Sequence, residues 1–490
     1  MICSAWVLLF GAATYNVMPL FKESFDYSTT VGILVVTTML FIGYFWLNGI
    51  KDVAYTLFYH LWLKNNVVLP PVKRRKRPPL VVLVYCTYND FNDQSLLASM
   101  QQDYPNFKVV ILDDSNNQDY KTRIDAFGLR YGVPVIRRAT NEGFKAGNLN
   151  NYLDTAEYDF CVILDSDEVI PPNFINRALD YFATNSRVGI VQANHKATRN
   201  RNDFMRTFAR GVDSHWPVYQ TVKDRFGFMS LLGHGAMFSH ECYVAAGGFP
   251  HVVAEDICYT IEAKRAGYDT VFAPDILCEE EFPINYMAFK KRHGKWTMGN
   301  MEFIRKNTRK IFFSRMQWFE KLDIILFTYS LPLTAVFSVY VLINVFVLPL
   351  AGYDLVYPLW MLAPTALFLI APMLNDIVVY WSTMKKRALL SYLVQSTLLF
   401  GSMYFTSLIA STKAAFGKAV FTVTPKDSKN VTMREAYRYN LKETIFALVL
   451  FGATFAVTRS IFSVLLLAAP ALFGAFLTVK HMDPRARVRV

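Results

Sequence analysis

A chain of 490 residues is long enough for two or three domains, and its 53% hydrophobic content and mean hydropathy of +0.21 lie outside the range of ordinary soluble proteins. The formal charge of +12 would suit a nucleic-acid partner, but the basic runs at 73–77, 385–387 and 485–489 all adjoin apolar tracts. They mark membrane edges, which argues against nucleic acid. The six cysteines (Cys3, Cys86, Cys161, Cys242, Cys258 and Cys278) form no CxxC pair and read as reduced, small core residues.

In chain order, the apolar tracts 2–21 and 29–49 form a transmembrane hairpin within residues 1–52. No basic region or small-residue cleavage site accompanies the first tract, so it is expected to be a retained helix rather than a signal peptide. Residues 53–285 read as an α/β domain. Its apolar runs Leu80 to Tyr85, Lys108 to Leu112, Val133 to Ile136, Phe160 to Leu164 and Gly189 to Gln192 are separated by helical or loop-like stretches, among them 119–130 and 173–185. That alternation predicts a largely parallel sheet with ligands gathered at the carboxyl ends of its strands.

Residues 286–322 are expected to be interfacial helices, and 323–382 a second transmembrane hairpin built from 324–349 and 356–380. The stretch 389–412 is apolar enough to span, but Ser391, Gln395, Ser402 and Thr406 share one helical face. It is read as an amphipathic helix on the cytoplasmic surface, within a segment 383–442 that also holds the hexapeptide Phe421 to Lys426. A polar stripe lining a pore is the competing explanation. Residues 443–490 supply a last hairpin and a short basic tail. The basic cluster at 73–77 then puts the α/β domain in the cytoplasm, with six crossings of the plasma (inner) membrane and both termini inside.

Five groups of residues carry chemistry. Asp113-Asp114 and Asp165-Ser166-Asp167 each follow an apolar strand, where Asp165 and Asp167 can converge on a divalent cation and phosphate oxygens. An isolated DxD is more often a solvated turn; the strand before it and the companion motifs favour the metal. Asp256, in Ala254-Glu255-Asp256, is the candidate general base, with Glu255 the alternative within the motif and helix capping the structural one. Lys145, in the glycine-containing run Asn141 to Asn148, could bring positive charge to an anionic ligand. Finally, Lys290 to Trp296 combines cations for a diphosphate with an indole face for a sugar ring, although interfacial anchoring would use the same residues.

Together these motifs resemble the processive, membrane-integrated family 2 glycosyltransferases, most closely the catalytic subunit of bacterial cellulose synthase, and are also similar to curdlan synthase. The likeness covers about 79 to 480. It implies a GT-A nucleotide-diphospho-sugar transferase domain inserted between α-helical transmembrane blocks, inverting at the anomeric carbon. It also implies Thr87 and Tyr88 near the uracil, Asp113 and Asp114 on the uridine, Lys145 in the donor loop, and Mg²⁺ (or Mn²⁺) on Asp165 and Asp167. Glu255-Asp256 resembles the general-base motif, and Phe421 to Lys426 a gating loop whose Thr424 and Lys426 close over the donor.

Two departures stand out. The family's QxxRW is here Arg292-His293-Gly294-Lys295-Trp296, so lysine replaces a planar fork and Arg292 stands one helical turn away. The chain also stops ten residues after its last apolar tract, leaving no room for a domain that binds a cyclic dinucleotide. The expectation is a processive β-glycan synthase. It would take a UDP-sugar, most simply UDP-glucose, and thread the growing polysaccharide across the bilayer with Trp296 holding its end, possible accessory secretion subunits aside. The alternatives are a non-processive transferase acting on a lipid, and a passive channel with a decayed enzyme domain.

Overall fold

The computed structural model describes residues 1–73, 75–198, 200, 202–417 and 431–480. The chain divides into two compact units, one of Met1–Asn65, Ser330–Thr412 and Lys429–Val490, the other of Asn66–Tyr329 and Lys413–Ser428.

The second unit is built on a seven-stranded sheet: β1 (Val81–Thr87), β2 (Phe107–Asp113), β3 (Val135–Ile136), β4 (Phe160–Leu164), β5 (Val188–Ala197), β6 (Ala236–Ser239) and β7 (Asp269–Glu280). Their order is β3-β2-β1-β4-β6-β5-β7. All neighbours run parallel except β6, which is antiparallel to both β4 and β5. The short apolar runs form strands because both faces of the sheet are covered. Alternate residues of β1 divide between two cores: Val81, Leu83 and Tyr85 pack with Ile111, Val162 and Leu164, whereas Val82 and Val84 pack with Leu112, Cys161 and Ile163. Each such side chain contributes about 1.5–3 kcal/mol through burial. Strands β6 and β7 were not apparent in the sequence, since Ala236–Ser239 has only four residues and β7 carries Asp275 and Glu279 among its apolar positions. The six cysteines are all free, and Cys161, Cys242, Cys258 and Cys278 are buried.

The first unit is helical. Among the described residues, six helices are long and apolar enough to cross a membrane: Thr29–Leu63, Ser330–Leu350, Leu359–Tyr380, Lys386–Phe416, Leu441–Thr458 and Phe462–Val479. A seventh results if the pair Ile2–Asn16 and Met18–Tyr27, bent by 49°, is one span. The bend falls at Val17, next to Pro19, whose ring favours a helix start over a helix interior. Ser28 caps the next helix by accepting from Val31 N at 3.1 Å, and that helix continues to Leu63, well past the apolar tract 29–49. Trp46 ties it to the helix beginning at Leu362 through Thr365 (3.1 Å) and packs on Phe368.

The stretch 389–412 forms two consecutive helices, Lys386–Gly401 and Tyr404–Phe416. Its polar side chains largely turn back on their own backbone: Gln395 donates to Ser391 O (3.1 Å), Thr397 to Leu393 O (2.8 Å) and Ser402 to Leu399 O (2.7 Å). Side chains satisfied in this way are tolerated in apolar surroundings, while Thr406 Oγ1 of the same stripe is buried with no hydrogen-bond partner among the described residues, so the stripe does not by itself assign the helix to a surface. Arg305 holds the far end, donating to the carbonyls of Ala414 (2.7 Å), Ala415 (3.2 Å) and Gly417 (2.7 Å). These are the orphan carbonyls of a helix C-terminus, where a guanidinium also meets the negative end of the macrodipole. The hexapeptide Phe421 to Lys426, including Thr424 and Lys426, lies outside the described residues.

Candidate active site

The carboxyl ends of β1, β2 and β4 lie side by side, so Thr87, Asp113 and Asp165 come together at one edge of the sheet. Asp90, which the sequence reading passed over, organises this edge. Its carboxylate accepts from Thr87 Oγ1 (3.0 Å), the Tyr88 amide (2.9 Å) and Ser166 Oγ (2.6 Å). The turn after β1 is therefore bonded to the middle residue of Asp165-Ser166-Asp167. Asn89 adopts φ 56°, and its amide donates to Ser115 Oγ (2.9 Å), linking the β1 and β2 turns.

Asp113 and Asp114 each meet an arginine. Asp113 is buried and takes Arg137 Nε at 2.7 Å, while Asp114 accepts from Arg138 Nε (2.8 Å) and Nη2 (2.6 Å) in a two-point contact. Arg138 continues to the carbonyls of Glu142 and Phe144 (2.7 Å to the latter), which holds the loop carrying Lys145. Gly147 makes this turn possible, since a Cβ there would sit 2.0 Å from Glu142 O. Lys145 ion-pairs with Asp165 and donates to Gly233 O at 2.7 Å. Burial acts to lower its pKa, but Asp165 and Glu255 outweigh this and raise it, so the ammonium stays charged.

Gly233 joins this group to the candidate base. It has φ 92°, and a side chain at that position would approach Asp256 Oδ2 at 3.3 Å. Glu255 and Asp256 open the helix Glu255–Arg265, and Asp256 Oδ1 accepts from Ile257 N at 2.8 Å. Burial raises both carboxyls; Asp256 adds to the effect on Glu255, which reaches about 7. A carboxylate poised near neutrality is suited to take a proton.

Arg292, Lys295 and Trp296 lie on the helix Tyr286–Phe312. The Arg292 guanidinium stacks 4.2 Å from the Trp296 ring centroid, and Trp296 keeps 42% of its surface exposed. Burial lowers the pKa of Arg292, with Glu280, Asp167 and Asp165 opposing it; Lys295 is lowered by burial and by Arg292 itself. Arg292 thus lies within electrostatic reach of Asp165 and Asp167 despite standing four residues before the tryptophan.

Along Asp165 to Glu168 the burial alternates, with Ser166 and Glu168 inside and the two aspartates partly exposed on the other face. Two outward carboxylates beside a cationic wall fit a hard divalent ion that keeps room for phosphate oxygens.

Glu168 belongs to a buried array that no sequence spacing announced. His234 Nδ1 lies 3.1 Å from Glu168 Oε2 and its Nε2 lies 3.4 Å from Glu280 Oε2, while His195 Nδ1 is 3.5 Å from Glu280 Oε1. Glu168, His195 and His234 are close enough to ligate one ion. The hydrogen bonds favour protons instead. Gln192 Oε1 accepts from Leu232 N (2.8 Å), so its amide nitrogen is the group facing His195 Nε2 (3.1 Å), which leaves the His195 proton on Nδ1. Burial works to lower His234, but Glu168 and Glu280 raise it to about 10. Burial likewise raises Glu280, and His234 and His195 reverse this to about 2. Two of its members are chain neighbours of the site, Glu168 following Asp167 and His234 following Gly233. Its only trace in the sequence is a charged residue immediately after the DxD.

Residues 78–299 match the family model described as "Glycosyltransferase like family 2". The chain is 23% identical over 294 residues to "Glucomannan 4-beta-mannosyltransferase 1" of Cyamopsis tetragonoloba, covering 56% of each. It is 24% identical over 253 residues to "Probable glucomannan 4-beta-mannosyltransferase 3" of Oryza sativa subsp. japonica, covering 48% of this chain and 46% of the relative. The chain therefore spans about half the length of these curated relatives. Among solved structures it is similar to the mannosyltransferase PcManGT from Pyrobaculum calidifontis in complex with GDP-Man and Mn²⁺ (TM-score 0.42, 19% identity, 76% of this chain and 99% of that one). It is also similar to S. aureus TarS 1–349 in complex with UDP-GlcNAc (TM-score 0.34, 14% identity, 69% and 90%). Both curated relatives are named as mannosyltransferases.

Proposed function

We propose that this chain carries at residues 78–299, which match a family 2 glycosyltransferase model, a transferase domain of GT-A fold, and that it transfers hexosyl units from a nucleoside diphosphate sugar to a growing polysaccharide. The observation that supports it is the convergence at one sheet edge of Asp165 and Asp167, Lys145, Asp256 and the Arg292–Trp296 stack.

In this reading Asp165 and Asp167 hold Mg²⁺ or Mn²⁺, which neutralises charge on the diphosphate leaving group. Thr87, Tyr88, Asp113 and Asp114 receive the nucleoside. Arg137 and Arg138 hold the two aspartates in place, so the nucleobase meets an already ordered surface. Lys145, Arg292 and Lys295 surround the diphosphate. Arg292 supplies the planar fork that the lysine at 295 lacks. Asp256 takes the proton from the acceptor hydroxyl as it attacks the anomeric carbon, giving inversion, and Glu255 beside it tunes that basicity. Trp296 offers its open face to the acceptor sugar. In this reading the helix 386–416 runs along the cytoplasmic face of the plasma membrane. The polymer leaves through the membrane helices, with accessory secretion subunits as possible partners.

The sugar follows from two lines of support. The resemblance favours UDP-glucose and a β-glucan; the names of the relatives favour a mannosyl donor and a mannan-type product. Purified full-length protein incubated with UDP-glucose, UDP-N-acetylglucosamine or GDP-mannose and Mg²⁺ or Mn²⁺ decides between them by product linkage and length. Metal-dependent release of nucleotide with a long product is expected. One sugar on a lipid would replace the polymerising reading with the non-processive one, and no release from any donor would overturn the transferase assignment.

A further inference from the structure

At the sheet edge opposite the donor site, where β5 and β7 begin, the transferase unit carries a half-open cavity of about 560 Å³. Arg187, Lys264, Arg265, Gly267, Arg315 and Glu320 are among its lining residues. Its charges do not balance. Arg187 and Lys264 share Asp269 (2.9 and 2.8 Å), Lys264 also reaches Glu320 (2.6 Å), and Arg265 pairs with Glu262 (2.5 Å). Arg315 pairs with none of the described residues, so a guanidinium is left facing the cavity without a counter-charge.

The lip is different in kind. Phe313, which lines the cavity, is 75% exposed, and Phe312 and Trp318, each next in the chain to a lining residue, are 71% and 66% exposed, an unusual amount of bare aromatic surface for a water-facing domain. They flank the break between the helices Tyr286–Phe312 and Trp318–Thr328, just before Ser330, where a membrane-length helix begins. Aromatic side chains at such a position belong at the headgroup level of a bilayer. Cations set behind an aromatic lip suit a ligand that is anionic at one end and apolar at the other. A free phosphate would use only the cations and leave the lip unexplained.

We propose that this cavity binds the phosphate headgroup of an anionic phospholipid, with the acyl chains leaving past Phe313 and Trp318. The site is separate from the donor site and requires nothing of it.

The test uses full-length protein in nanodiscs of equal phosphatidylglycerol and phosphatidylcholine, with lipid retained after detergent extraction measured by native mass spectrometry. Wild type is expected to keep phosphatidylglycerol selectively, and Arg265→Ala/Arg315→Ala to lose about tenfold of that retention. Thermal unfolding of the double variant checks that it is folded. If it is not, the wild-type comparison of the two lipids still decides. Equal retention of both lipids, or undiminished phosphatidylglycerol in the folded double variant, would overturn the proposal. A third arm adds millimolar inorganic phosphate, which is expected to leave the lipid in place; displacement would assign the cavity to a soluble phosphate instead.

Discussion

Replacing His234 with glutamine removes the cation from the buried array while keeping a polar side chain of similar reach. His234 sits between two carboxylates, 3.1 Å from Glu168 and 3.4 Å from Glu280, with only 14% of its side chain exposed. Its pKa rises from an ordinary 6.5 to about 10, which corresponds to roughly 5 kcal/mol as an upper bound for so tightly coupled a group. Breaking a buried ion pair by deleting one partner costs about 3–5 kcal/mol, which agrees. In a domain of this size the apparent melting temperature should fall by on the order of 10 °C. The sign with pH follows from linkage. A group raised in the fold contributes its full stabilisation below its unfolded pKa of 6.5 and loses it as pH rises through about 10. Glu280, lowered from 4.5 to about 2, contributes above 4.5 and loses its share as pH falls toward 2. The difference between wild type and His234→Gln, measured by differential scanning fluorimetry in metal-free buffer, should therefore be largest between about pH 4.5 and 6.5 and shrink toward pH 10. A difference that stays constant from pH 5 to 9.5 would show that His234 is neutral in the fold and that the array is held by hydrogen bonds alone.

Asp256→Asn should lower kcat for nucleotide release by roughly 10²–10⁴ with little change in donor KM, and a variant retaining wild-type kcat would remove Asp256 as the base. Since the Glu255–Asp256 carboxyls are raised, with Glu255 near 7, kcat/KM should climb as pH rises from 5 to 8; a flat profile there would contradict a base in this pair. Lys145→Met strips Asp165 of its ion-pair partner and should raise donor KM by about 10- to 100-fold, read from initial rates over a donor titration. Gly147→Ala puts a methyl group 2.0 Å from Glu142 O, so the Arg138-held turn must open at a cost of about 1–3 kcal/mol, visible as faster proteolysis of the 138–147 loop.

The strands β1, β2 and β4 were legible in the sequence because a strand buried on both faces reads as a continuous apolar run, and carboxylates directly after such a run must lie at its carboxyl end. Asp113 and Asp165 were placed by that rule alone. Local order likewise pointed to most of the membrane-length helices, since a run of some twenty apolar residues fits few other environments, but 389–412, read as an interfacial helix, falls within the membrane-length helix Lys386–Phe416. What the sequence could not decide were relations between residues far apart in the chain. Nothing near Asp90 shows that it binds Ser166, 76 positions on, and nothing near Asp113 or Asp114 shows that each is matched by an arginine 24 positions later. Arg292 reads in sequence as a displaced arginine, and only the helix that carries it stacks it on Trp296 and brings it within electrostatic reach of Asp165 and Asp167. The Glu168–His234–Glu280 array is the strongest case. Its members come from three separate strands and turns, and their charges are stable only where the fold has excluded water and brought opposite charges within hydrogen-bond reach. Chain order determines which residues can form a strand, a turn or a span, because those depend on near neighbours. Electrostatic pairing in a buried site depends on distance in space, and only the tertiary structure sets that.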